Sequence, residues 1–352
     1  MARSSDRLRT VDAICSLPHQ FPAAPRPKRR AATLPAPPLR LPSSKRRASA
    51  PAETQAENTS LWNGGTLGSY IEDYCARIRQ GGANAVIAHP VVVDNDGTYV
   101  MHYVPFEHVN ATARLVLVST TPGHMHLRLA AELTEALLRA HAPGRIVQLE
   151  NKRQIELGGP LVRPNLIRML DHFGIPSLVG AERATALWED GFHLLQPLAL
   201  LPQATMRRGL AFDGTLEALL AIPMLRRAFE SQFLERLTRV RDDAVFLALG
   251  RTAWAGLCHA AETGAIGAGQ LLGMMPVPAR AGSMVRYFLG EISAAKLSPR
   301  DPVRHRTAWL DAARRELIEN VRRHRQAQSG TMTGTTTGTT TGTTTGTTTA
   351  AA

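Results

Sequence analysis

Residues Ala113-Arg-Leu-Val-Leu-Val-Ser-Thr-Thr-Pro-Gly-His124 decide the fold. Leu115 to Val118 are four β-formers with no polar break, the pattern of a strand buried on both faces of a parallel sheet. Thr120-Thr-Pro-Gly123 breaks that strand. Beyond it His126, Ala130, Leu133 and Leu137 recur at helical spacing, so a helix begins at the turn. A strand that passes through a Pro-Gly turn into a helix aims backbone N–H groups beyond the strand's carboxyl end. Open α/β sheets bind anionic ligands there. The pattern alone suits a phosphate, a nucleotide or no ligand.

Further apolar runs supply partners for this strand. Phe192 to Leu201, Ala244 to Gly250 and Leu271 to Val277 read as strands, giving a short, mostly parallel four-stranded sheet. Leu67 to Ile78 has helical spacing and is expected against the sheet edge. Arg163 to Gly174 forms a helix with Leu166, Met169, Leu170 and Phe173 inward. Leu216 to Leu237 reads as one long amphipathic helix kinked near Pro223. The stretch from Ala85 to His108 is irregular, with Asn95-Asp-Gly97 as a turn and Tyr99 to Val104 extended. Arg145 to Pro160 has no strong period and reads as a loop. A closing helix, Thr307 to Arg325, is expected to bury Trp309, Ala313, Leu317 and Val321 and to expose Arg314, Arg315, Arg322 and Arg323.

Composition divides the 352 residues into three parts. Residues 1–58 hold eleven Lys/Arg against four Asp/Glu, and so carry +7 (11 − 4) of the net +12. With little apolar surface to bury, they are expected to be disordered. Their basic clusters, Arg26-Pro-Lys-Arg-Arg30 and Lys45-Arg-Arg47, read either as solvated charge or as salt-sensitive contacts to nucleic-acid phosphates. Residues 60–327 form the folded domain. Residues 328–352 are a low-complexity Gly/Thr tail. No signal peptide or membrane-spanning run is found. The three cysteines, Cys15, Cys75 and Cys258, lie far apart and suggest neither a disulfide framework nor a zinc knuckle, which fits a cytoplasmic protein. His124 and His126, two apart at a helix start, face different ways, so no metal site is expected.

Several stretches resemble a bacterial branch of the uracil-DNA glycosylase-like superfamily. Tyr103-Val-Pro-Phe-Glu-His-Val-Asn110 is similar to the "PFEHVN" segment of that branch, which leads into a strand ending in a Gly-Ile-Thr-Pro-Gly-type turn. Arg163-Pro-Asn-Leu-Ile-Arg-Met-Leu-Asp171 resembles its R-x-Asn-Leu-x-x-Met-Leu-Asp helix. Leu249-Gly-Arg-Thr-Ala253 and Val285-Arg-Tyr-Phe288 match further positions. The resemblance implies a three-layer α/β/α sandwich that takes a base flipped out of DNA and hydrolyses its glycosidic bond with water and no cofactor. It places Thr121, Pro122, Gly123 and His124 in the first catalytic turn and Phe106 on the approach to the pocket, where a core role is the alternative. It also places Gln196 where the superfamily has a base-reading Asn. An amide can donate to a carbonyl and accept from a ring N–H. The alternative for Gln196 is a hydrogen bond to backbone at the strand's end.

The second catalytic motif departs from the family. There the superfamily has His-Pro-Ser-Gly, whose His donates to the base oxygen that becomes negative as the bond breaks. This chain reads Gly273-Met-Met-Pro-Val-Pro-Ala-Arg-Ala-Gly282, so Pro276 or Val277 stands in that place and no His occurs between His259 and His305. Arg280 is the strong donor nearby, either for an anion or as a solvated loop arginine. Ser119 replaces a usual Gly, and no aromatic lies between Gly123 and Asn165 to stack on a base. Two main readings therefore stay open, beside a third in which the pocket hydrolyses some other small nucleotide-like substrate. One is a divergent DNA glycosylase contacting the DNA backbone through its basic tail and closing helix. The other is a catalytically inactive relative that binds nucleic acid or another partner. Neither requires a membrane or an obligate protein partner.

Overall fold

The computed structural model describes residues 61–62, 65–279 and 282–333. The basic segment 1–58, the threonine-rich end and Arg280 lie outside the described residues.

The chain enters through an antiparallel ribbon, β1 (Leu61–Trp62) and β2 (Gly65–Thr66), followed by α1 (Leu67–Gly81) and α2 (Ala83–Ala88). Ile71, Tyr74 and Ile78 of α1 are buried, as their spacing predicts. They do not reach the edge of the parallel sheet. α1 packs on helices, and Tyr70 Oη donates to Val93 O of a second sheet at 3.4 Å. That sheet corrects the irregular reading of 85–108. β3 (Val92–Asn95) and β4 (Val100–His102) form a hairpin around Asn95-Asp-Gly97. The amides of Thr98 and Tyr99 close its turn on Asp96 Oδ1.

β5 (Leu115–Ser119) is the central strand of the parallel sheet. The turn then opens α3 (His124–Arg139), and Pro143 begins α4 (Gly144–Gln154) where the sequence suggests a loop. The apolar period is hidden in α4 because its buried face includes Glu150, Asn151 and Lys152 alongside Val147. α5 (Val162–His172) turns Leu166, Met169 and Leu170 inward as expected. β6 (Leu195–Ala199) returns to the sheet, and the chain passes directly to the second sheet as β7 (Ala204–Arg207) and β8 (Leu210–Ala211).

Pro223 does more than kink the next helix. It lacks the N–H that an unbroken helix needs, so α6 (Leu216–Ala221) ends and α7 (Pro223–Ala228) begins, and a π-helical turn over Phe229–Leu234 follows. β9 (Val245–Leu249) leads to α8 (Arg251–Glu262), β10 (Leu271–Met275), α9 (Ser283–Phe288) and the closing α10 (Thr307–Thr333). α10 continues past the expected domain boundary at 327.

The parallel sheet has the order β6-β5-β9-β10. Leu115 pairs with Leu195 on one side and Val245 on the other, and this register holds along the strand. Successive strand residues point to opposite faces, yet every residue of the four strands except half-buried Ser119 is buried. Both faces of the sheet are therefore covered, and the fold is α/β around a four-stranded parallel sheet. Among the described residues no helix is long and apolar enough to cross a membrane. Leu117, fully buried in β5, tests the core directly. Leu117→Ala should destabilise the protein by about 2–5 kcal/mol, read as a lower urea midpoint with an unchanged m-value.

Candidate functional site

A cleft of about 720 Å³ opens at the carboxyl ends of the parallel strands. Ser119 to Pro122 after β5, Leu249 to Thr252 after β9 and Val277 to Ala279 after β10 border it. The chain order reverses at β5, whose neighbours are β6 and β9, and such switch points are where open sheets hold ligands. Gly250 makes the turn between β9 and α8. Its φ is 103°, its amide donates to Met275 O at 2.8 Å, and a Cβ there would lie 2.7 Å from Val277 Cγ2. Only glycine meets both demands.

The turn after β5 is stapled to the second sheet. Thr121 Oγ1 donates to Gln203 O at 3.0 Å and accepts from the Thr205 amide at 3.2 Å. His124 is exposed, and its Nε2 lies 2.6 Å from Gly209 O in the β7–β8 connection, outside the cleft. The hydroxyl of Thr121 and the ring of His124 are thus spent on structure, although Thr121 and Pro122 do line the cleft. The Gly123 amide, expected to be free for an anion, donates to His126 Nδ1 at 3.1 Å. This is half of a capping box with histidine in the third helical position.

His126, in contrast, lines the cleft. Its Nδ1 accepts a backbone N–H, so the neutral ring carries its proton on Nε2. The bond to Nδ1 is the ring's hydrogen bond among the described residues. Burial pushes the imidazole down to about 4, which keeps it neutral at pH 7. The site therefore contains an uncharged ring with a fixed donor.

Gln196 is not brought to the cleft. It occupies the second position of β6, at the amino end, and is buried. Its Oε1 accepts from the Asn110 amide at 2.6 Å, and its Nε2 donates to Pro197 O at 2.8 Å and His108 O at 3.3 Å. It takes the backbone-binding role, because the leucine pair that precedes it lies at the start of the strand. Phe106 is likewise core: it is buried behind His126, edge-on to that ring with centroids 6.4 Å apart. Pro276 is buried and does not line the cleft, whereas Val277 is 39% exposed and does. His124 turns to Gly209 O and His126 into the cleft, so the two rings face different ways.

Three further sets of cleft residues escape sequence reasoning. His305, Arg306 and Trp309 come from the entry to α10, whose buried stripe runs through Leu310, Ala313, Leu317 and Val321. Trp309 is turned partly out of the core, with the Arg251 guanidinium 5.9 Å from its ring centroid. Phe212 and Asp213 follow the unexpected second sheet. Glu156 and Leu157 follow the unexpected α4. The signal for the first set was a His-Arg-x-x-Trp spacing, which sets Trp309 four residues after His305 and three after Arg306, near both on a helix. The others needed the missed elements first.

Behind the cleft lies a knot of buried charge. Lys152 Nζ sits 2.7 Å from Glu156 Oε2 and donates to Phe106 O at 2.9 Å. Glu107 and Arg236 are also buried. Burial raises the Glu107 carboxyl to about 7 even though Arg236, Tyr103 and Lys152 oppose the rise.

No protein-family model and no solved structure matches the chain. The uncharacterized protein YoxB of Bacillus subtilis (strain 168) is 26% identical over 171 residues. The match covers 48% of this chain and 66% of YoxB, so the chain spans just under two thirds of that relative's length.

The His126 ring predicts a pH effect on stability. Its folded pKa of about 4 lies below the ordinary histidine value of 6.5. The unfolded chain therefore binds the extra proton between those values, and stability contributed by the neutral ring is lost as pH falls from about 6.5 towards 4. His126→Asn should flatten this part of the acid limb, measured as the difference in urea midpoint between pH 7 and pH 5.

Proposed function

We propose that this protein is a divergent member of the uracil-DNA glycosylase-like superfamily, with that superfamily's three-layer sandwich around the parallel sheet. It hydrolyses the N-glycosidic bond of a damaged base flipped from DNA into the cleft. The observation that carries this reading is His126: a neutral imidazole, its tautomer fixed by the Gly123 amide, with an unused Nε2–H in a cleft at the strand ends. A donor of this kind stabilises negative charge developing on a departing base without first losing a proton. It stands in for the histidine missing near Pro276 and Val277.

The surroundings suit the same substrate. Phe212 and Trp309 offer apolar ring surface to a base. Arg251 and Arg306 border the cleft where DNA phosphates would lie. Exposed Arg315, Arg322 and Arg325 on α10 extend the positive surface, although Arg322 is shared with Glu319. The inactive alternative, a nucleic-acid-binding module in the cytoplasm, rests on the absence of any side-chain donor at Pro276 and Val277.

The test is excision by the full chain, held in excess over single- and double-stranded oligonucleotides containing uracil or hypoxanthine. Alkali-labile abasic sites should appear, and His126→Ala should slow their formation by about 10²–10³-fold with little change in oligonucleotide binding. Salt-dependent binding without any abasic sites would instead favour the inactive module.

A further inference from the structure

The glycosylase reading leaves one group in the cleft without a role. Glu156 is 4% exposed, yet it lines the cleft. Oε2 lies 2.7 Å from Lys152 Nζ as an ion pair, and this buried oxygen has no hydrogen-bond partner among the described residues. A carboxylate buried this deeply in the wall of a cleft costs several kcal/mol to desolvate, even beside a lysine. A solvated carboxylate at the rim, such as exposed Asp213, does not.

The backbone around Glu156 is built to hold it there. Leu157, the next residue, has φ 55°, a left-handed conformation that a leucine adopts only under constraint. Arg163 reaches back and donates to the carbonyls of Arg153 at 2.9 Å, Gln154 at 3.2 Å and Glu156 at 3.3 Å. Two residues on, Asn165 donates to Pro278 O at 3.0 Å in the loop after β10. The Arg-x-Asn pair thus clamps the two loops on opposite margins of the cleft. Gly159 lies against Met125, next to His126, since a Cβ on it would meet Met125 Cε at 2.6 Å. The strained segment is therefore fitted beside the residue that supplies the donor.

We propose that Glu156 is a catalytic carboxylate of this cleft, the group that positions the hydrolytic water and takes its proton. The assignment rests on the glycosylase reading. The water oxygen bonds to the anomeric carbon as the carbon–nitrogen bond breaks, and both electrons of that bond go to the base. The water proton passes to Glu156. The base leaves as an anion held by His126 Nε2–H and is protonated from solvent, and Glu156 returns its proton to solvent. Glu156 faces Lys152 on α4, Arg236 from the turn after the π-helical segment and, beyond Lys152, Glu107; His126 shares the cleft. Burial raises its proton affinity, and Lys152 and Arg236 restrain that rise. Such tuning favours a base over a permanently ionised carboxylate.

The experiment is single-turnover excision by the full chain on the same uracil and hypoxanthine oligonucleotides, across pH 5 to 9. Glu156→Gln should slow excision by about 10²–10⁴-fold, abolish the acid limb of the rate profile and leave oligonucleotide affinity within about twofold. Because that variant strands the Lys152 charge, Lys152→Met/Glu156→Gln is measured beside it and should be equally slow. Full excision by a folded Glu156→Gln protein, or recovery of the rate in the double variant, overturns the role of Glu156 and leaves the glycosylase reading intact. Wild-type protein that leaves every oligonucleotide unbroken overturns both.

Discussion

β5 is hydrogen-bonded along both edges and covered on both faces, and the site follows from that confinement. A strand so placed can be left only at its ends. Because β6, β9 and β10 run in the same direction, the segments leaving β5, β9 and β10 emerge together at one rim of the sheet. The cleft is the space between them. Its shape is held by short-range devices: the Thr121 hydroxyl bridging to the second sheet, Gly250 passing beneath Val277, and Asn165 holding the Pro278 carbonyl.

The knot of Glu107, Lys152, Glu156 and Arg236 is not explained by stability. Two carboxylates and two cations withdrawn from water cost several kcal/mol per ion, which their mutual attraction only partly offsets. Replacing buried ion pairs by apolar residues of similar volume is often neutral or stabilising. The knot also lies beside the cleft, with Glu156 on its wall and Lys152 tied to the carbonyl of Phe106, which itself packs behind His126. Buried charge adjacent to a cleft is the arrangement that tunes acid–base groups.

The sheet was legible because β5, β9 and β10 are apolar runs through their buried lengths and β6 is interrupted only by Gln196 and Pro197, as expected of parallel strands covered on both faces. α4 was illegible for the opposite reason. A helix that buries Glu150, Asn151 and Lys152 shows no apolar period, and Glu156 was lost with it. The second sheet was hidden by strands of two to four residues, too short for alternation to register. Ala313, Leu317 and Val321 of the closing helix are buried as read, but Leu310 takes the first inward position and Trp309 is only partly buried against the core. Gln196 has suitable chemistry at the wrong end of its strand, a distinction carried by the sheet's direction and not by the residue. The turn after β5 lies where the apolar run stops, and of the two histidines beyond it only His126 borders the cleft, whereas the sequence reading put His124 in the turn.

The proposed pair shares one further property. Neither His126 nor Glu156 relies on another exposed side chain for its position. His126 is fixed by the amide of Gly123, which is itself fixed by the exit from β5. The backbone of Glu156 is fixed by Arg163, and its side chain by Lys152, which is anchored on the carbonyl of Phe106. Both groups are therefore oriented by main chain before any substrate arrives, so little reorganisation is needed when charge develops. On the proposed reading, a donor lost from one loop can be replaced only by a group that backbone already holds in place, a condition that the Gly123 amide meets for His126.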